Sequence, residues 1–247
     1  MAQTTSKESM QTRWAASRDG RPCLILDGDD TLWENNIFFE DAIEEFIDFL
    51  AHSSMSRQQV RAALDEVERL NARVHGYGSA AFAENLRQCY ERLCERHLRM
   101  EDVEHVLSLG RRIASQPLRL MEGVESTVRE LALRNDLILF TKGGVEEQRL
   151  KIERSGLASM FKAAEVVREK DREAYGRLVS EHSLVPQRTW MVGNSPRSDI
   201  NPALSAGLNA VFIPHARTWS LEVEELLKPD EGRLLVLHRF ADLRQHF

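Results

Sequence analysis

The sequence predicts an α/β protein: a doubly wound parallel sheet with a Rossmann-like core and an α-helical cap domain inserted early in the chain. Three observations predict it. Short aliphatic runs recur along the chain, and from the second onward helical patterns separate them. The runs are continuously apolar rather than alternating, as strands buried on both faces are. Between the first run and the second stand about a hundred residues of helical pattern, far more than a crossover needs.

Taken in order, residues 1–19 are polar, lack an apolar signal core and read as a flexible N-terminal tail of a cytoplasmic protein. The first strand is expected in "CLILD" (23–27), which runs straight into "GDDTLW". The helical insertion occupies 34–117. Within it, Val60, Ala63, Leu64, Val67, Leu70 and Val74 follow the 3.6 period behind a Ser56 N-cap. Phe82, Leu86, Cys89, Tyr90 and Leu93 do the same, and "MEDVEHVLSLGRRIAS" forms a further helix. "NARVHGYGSAAF" (71–82) interrupts two of these helices with Gly76 and Gly78, presenting His75, Tyr77 and Ser79 together. Later strands are expected at 137–141, 163–167, 189–193, 209–213 and 233–238, with Gly156 and Gly207 as helix stops. The core thus spans 20–33 and 118–247, and the cap covers its active edge.

Composition narrows the function. Of 247 residues, 42% are hydrophobic and 29% charged, which is globular; the net charge is -6. That balance argues against a nucleic-acid or anionic-membrane surface. No apolar run approaches the ~20 residues of a membrane span. The three cysteines, Cys23, Cys89 and Cys94, read as reduced core thiols. Cys89 and Cys94 lie about 500° apart around a helix, too far for a shared metal or disulfide.

The chemistry concentrates where the first strand ends. Asp27, Asp29 and Asp30 fall at the carboxyl edge of the sheet, where open α/β sheets bind ligands. Three carboxylates so close are unfavourable unless a cation or a reaction uses them. Asp27 and Asp29, two apart at a strand exit, suit phosphoryl transfer through an aspartyl phosphate: one attacks phosphorus, the other handles the proton. A hard cation with oxygen ligands, Mg²⁺, would offset the repulsion between these acids and a phosphate dianion. Read blandly, the same aspartates are turn formers.

"DGDDTLW" resembles the first motif of the haloacid dehalogenase superfamily, Asp-x-Asp-x-Thr/Val after a buried strand. The resemblance runs from Cys23 to Ile213 because the other motifs follow in order. "LILFTKGG" looks like the second, "VVREK" the third and "MVGNSPRSDINPALSAG" the fourth. It implies catalytic roles for Asp27, Asp29, Thr141 and Lys170. Thr141 would donate to phosphoryl oxygens with backbone N–H groups near Lys142 and Gly143, and Lys170 would neutralise phosphate and hold the nucleophile. A metal set of Asp27, Asp29, Asp199 and Asn194 follows. The bland readings are a β-former for Thr141, a solvated charge run for Lys170 and a helix cap for Asp199. His215 and Trp219 read equally as site rim or loop packing.

Two departures stand out. Asn194 follows Gly193 where the family often has Asp, which removes a charge but keeps an oxygen. Gly28 separates the aspartates where a larger residue is usual. Because a halide needs no protonation and an ester oxygen does, Asp29 points to a phosphatase acting on a small soluble phosphate ester. His75 and Tyr77 are expected to help choose the substrate. A phosphomutase and a non-catalytic phosphate-binding module remain the alternatives. Substrate identity and oligomeric state are not legible.

Overall fold

The computed structural model describes residues 20–229 and 233–247; the tail expected at 1–19 lies outside them. Six strands form one sheet: β1 (Cys23–Leu26), β2 (Asp136–Lys142), β3 (Ala163–Val167), β4 (Thr189–Gly193), β5 (Asn209–Phe212) and β6 (Leu234–Val236). Their spatial order is 3-2-1-4-5-6, and every neighbouring pair is parallel. The fold class is therefore α/β with a helical insertion, as the sequence predicts. The core positions of β1, β2 and β4 are apolar runs (24–26, 137–140 and 190–192), and these strands are buried almost throughout. The strand order reverses between β1 and β4, so the crevice at that switch point is the natural ligand site. β1 stops one residue before Asp27, whose N–H still donates to the Val192 carbonyl at 3.0 Å.

Between β1 and β2 lie α1 (Asn36–Leu50), α2 (Arg57–His75), α3 (Ser79–Leu93), α4 (Met100–Arg111) and α5 (Val124–Leu131). The first four share an apolar core of their own, built on Phe46, Leu64, Leu86, Tyr90, Val106 and Leu109. α5 instead packs Val124, Val128 and Leu131 onto the sheet. The remaining helices are α6 (Val145–Arg154), α7 (Arg172–Glu181) and α8 (Asn201–Ser205), the last entered through a π turn over Pro196–Ile200. With α5, they leave both sheet faces covered, around Leu26 and Leu139 on one side and Ile25 and Phe140 on the other. Two linkers join the helical insertion to the sheet side by side: Glu34 N–H donates to the Arg119 carbonyl, and Met121 N–H to that of Leu32, both at 2.9 Å.

α2 departs from its predicted stripe. It begins as expected, with a reciprocal capping box between Ser56 and Gln59. Val60, Leu64 and Val67 are buried, but Leu70 and Val74 are 62% and 68% exposed, and Glu68 is only 5% exposed. The C-terminal half of α2 faces a cleft rather than the helical core, so its inward side is not its apolar one. Cys23 and Cys89 are buried, Cys94 partly so, and all three are free thiols. Among the described residues, no helix is long and apolar enough to cross a membrane.

Candidate active site

The floor of the crevice is a buried charge cluster built from three strand ends. Lys170, beyond β3 and 2% exposed, donates to Asp27 Oδ1 at 2.5 Å and to Asp199 Oδ1 at 2.8 Å. Thr31 Oγ1 lies within hydrogen-bond reach of both Asp27 Oδ2 (2.9 Å) and Asn194 Oδ1 (3.1 Å). Asp199 Oδ2 accepts from the Ser195 N–H at 2.9 Å, and Ser195, not Asp199, caps the π turn by accepting from the Ser198 N–H. Two glycines make room. A Cβ on Gly193 would fall 2.2 Å from Asp199 Oδ2, and one on Gly28 would fall 2.6 Å from the Trp33 ring. Gly28 is thus required by the indole beneath it.

Charge in this cluster is unbalanced, with two buried carboxylates facing one ammonium. Burial and the neighbouring Asp199 push the Asp27 carboxyl up to about 7, against the pull of Lys170. Burial disfavours the Lys170 charge, but Asp199 and Asp27 outweigh it and hold its pKa above the ordinary lysine value. The oxygen-only donors of Asp27, Asp199 and Asn194, with an excess negative charge, fit a hard dication such as Mg²⁺.

The Asp29 side chain does not join that set. Its oxygens accept from Lys151 Nζ at 3.0 Å, Gln148 Nε2 at 2.9 Å and Trp33 Nε1 at 2.6 Å. It lines the cleft, turned towards α6. Asp30 also lines the cleft, but its carboxylate is engaged elsewhere: with φ +58° it accepts from the Asn35 and Asn36 N–H groups and so caps α1. Burial pushes its carboxyl up to about 7 against those N–H bonds.

The donors expected to face a phosphoryl group are engaged by the protein here. Thr141 Oγ1 donates to Gln148 Oε1 at 3.2 Å, and the Gly143 N–H to the Val167 carbonyl at 3.2 Å. Lys142 Nζ donates to Ser198 Oγ at 2.8 Å, pairs with Glu222 and lies 4.2 Å from the centre of the Tyr77 ring. All three residues line the cleft.

Loop 75–78 presses down on the core from the cap side. Tyr77 OH donates to Glu169 at 2.7 Å, and its ring meets Trp219 edge-on at 6.0 Å. Ser79 N–H and Oγ donate to Glu147 Oε2 at 2.9 and 2.7 Å. Tyr77 and Trp219 line the cleft, whereas His75 is exposed and outside it, because α2 ends with that side chain turned to solvent. His215 is also outside, its Nδ1 4.0 Å from Asp30. The cleft holds about 1020 Å³ of empty space, mouth included.

Sequence reasoning missed Thr31, Gln148, Lys151, Glu222 and Glu68. Thr31 was visible as the threonine of Asp-x-Asp-x-Thr. Gln148, Lys151 and Glu68 sit in charged or polar helical patterns that read as solvated faces, and Glu222 in a short turn beyond β5.

No family model and no curated protein sequence matches the chain. Solved structures do. A haloacid dehalogenase-like family hydrolase from Xanthomonas campestris superposes with a TM-score of 0.81 at 31% identity, over 94% of each chain. The hydrolase YfnB from Bacillus subtilis, bound to magnesium, matches at 16% identity and TM-score 0.63 over 92% of this chain and 98% of its own. L-2-haloacid dehalogenase from Xanthobacter autotrophicus matches at 15% identity and TM-score 0.59, over 91% and 97%. The last two share the fold alone; the first shares sequence along nearly its whole length. Together with the motif order and the crevice at the strand switch, that likeness means the chain belongs to the haloacid dehalogenase-like hydrolase family.

Proposed function

We propose that the protein is a Mg²⁺-dependent phosphomonoester hydrolase acting through an aspartyl phosphate on Asp27. The observation that supports this most is a second carboxylate, Asp29, held in the cleft two residues beyond the nucleophile by Lys151, Gln148 and Trp33. An ester oxygen needs a proton to leave, whereas a halide does not. Asp27 would attack phosphorus as the P–O bond to the leaving group breaks, and the leaving oxygen would take the proton of Asp29 in its acid form. Asp29, then ionised, would accept a proton from the water that cleaves the acyl phosphate. Lys151 Nζ, 3.0 Å from both Asp29 oxygens, holds that side chain in place in the cleft. Lys170 orients the nucleophile and offsets charge on the transferring group. A magnesium ion held by Asp27, Asp199 and Asn194 would supply further electrostatic stabilisation of the phosphoryl oxygens.

The test is phosphate release from p-nitrophenyl phosphate and a panel of natural phosphomonoesters, with Mg²⁺ or with chelator, alongside halide release from 2-haloacids. Metal-dependent phosphate release is expected, and Asp27→Asn should lower it by about three orders of magnitude or more while the melting temperature holds. Halide release without phosphate release would overturn the proposal.

A further inference from the structure

Glu68 is the anomaly in the cleft wall. It projects from α2 of the cap into the same cavity that holds Asp27, is 5% exposed, and its Oε2 has no hydrogen-bond partner among the described residues. The nearby cation does not serve it: the Arg61 guanidinium is engaged by Asp65 at 2.9 Å and by Glu40 at 2.6 and 2.9 Å. Burial, with Asp65 adding, pushes the Glu68 carboxyl up to about 7, while the Arg61 charge and a hydrogen bond from the Trp219 side chain oppose the shift. A buried carboxylate with one oxygen left without a partner is costly, and an apolar residue here would be cheaper. Yet the same helix exposes Leu70 and Val74 and buries the acid. Such local conflicts mark functional positions.

The surroundings say what Glu68 is suited to meet. The same cleft is lined by Phe39, Ile43, Ala72, Phe82 and Trp219, which fit a hydrocarbon stem. Across the whole cleft, seven carboxylates stand against three lysines, and each lysine is already paired with a carboxylate. A dication at the Asp27 end would offset part of that excess but not the part at the cap end. An anionic leaving group would be repelled there. A hydroxyl would satisfy the orphan oxygen but leave the charge, whereas an ammonium does both.

We propose that Glu68 is a specificity residue that accepts hydrogen bonds from a protonated amine on the alcohol part of the phosphate ester. This rests on the phosphatase reading above and narrows its substrate class to amino-alcohol or amino-sugar monophosphates. The test pairs ω-aminoalkyl phosphates of increasing chain length with their ω-hydroxyalkyl counterparts, and p-nitrophenyl phosphate reports separately on the phosphoryl chemistry. For at least one length, wild-type kcat/KM should favour the amine by about tenfold or more, and Glu68→Gln should bring that ratio close to one. No amine preference at any length overturns the proposal even where p-nitrophenyl phosphate is hydrolysed. Equal losses on every substrate in Glu68→Gln also overturn it, since they would mean a structural role. No hydrolysis of any phosphate ester overturns the phosphatase reading instead, and the specificity role with it.

Discussion

At the scale of single residues, the site depends on side chains that leave no spare room. Gly28 has the Trp33 indole where a Cβ would go, 2.6 Å away, and that indole is fully buried and also holds Asp29. Gly28→Ala is therefore expected to destabilise the fold by about 1–3 kcal/mol, read as a lower denaturation midpoint, and to lower activity by displacing Asp29. Glu68 gives a pH-dependent counterpart. Its carboxyl is raised from an ordinary 4.5 to about 7 by burial. A raised acid contributes stability that is fully present below its ordinary pKa and is lost as the pH climbs through its folded one. Glu68→Gln is neutral at every pH, so it should melt higher than wild type above about pH 7, with the difference gone below about pH 4.5. Melting curves across that range check the sign: a variant less stable at high pH would mean the carboxylate finds a stabilising partner.

At the scale of elements, the contact that matters is between the start of α3 and the start of α6. Glu147 takes both the backbone N–H and the hydroxyl of Ser79, so one carboxylate ties the cap to the start of α6. It also stands 3.5 Å from Lys151, which links this tie to Asp29. Tyr77 makes a second tie, to Glu169 beyond β3. Ser79→Ala removes one of these hydrogen bonds without touching the reacting groups. Closure should then be weaker, with KM raised about two- to tenfold and faster proteolysis near residues 75–79. An unchanged KM together with unchanged proteolysis would show that the tie does not govern closure. With His75 exposed outside the cleft, Gly76, Tyr77 and Gly78 are the residues of this loop that line it.

At the scale of the whole molecule, the apolar core of the helical insertion and those of the sheet faces stand on either side of a cleft lined by both charged and apolar residues, and two short linkers join them. The helical core contains no strand residue, and the sheet cores contain none from α1 to α4. Units so separated can open by different free energies. Leu64→Ala, in the fully buried centre of the helical core, should cost about 2–5 kcal/mol and fall on the cap alone. Hydrogen exchange checks this: faster exchange across residues 36–111, with β1, β2 and β4 still protected, is the expected pattern. Uniform acceleration over both units would mean that they unfold as one. The paired linkers at 32–34 and 119–121, hydrogen-bonded to each other, suit a hinge between these bodies.

The sequence by itself determined the parallel sheet, its helical insertion and the floor of the site. Each is written in contiguous residues: buried strands are continuous apolar runs, and Asp27, Lys170, Asn194 and Asp199 lie at or just beyond strand ends whose alignment the sheet imposes. Tertiary structure alone decided the rest. Lys151 and Gln148 meet Asp29 from more than a hundred residues away along the chain. Asp30 became a helix cap rather than a third acid of the site. Glu68 looks like a solvated helix residue until the cap closes over the core and buries it. Local pattern specifies which side chains share a face of an element, but not what that face meets, because the partner surface comes from a distant part of the chain.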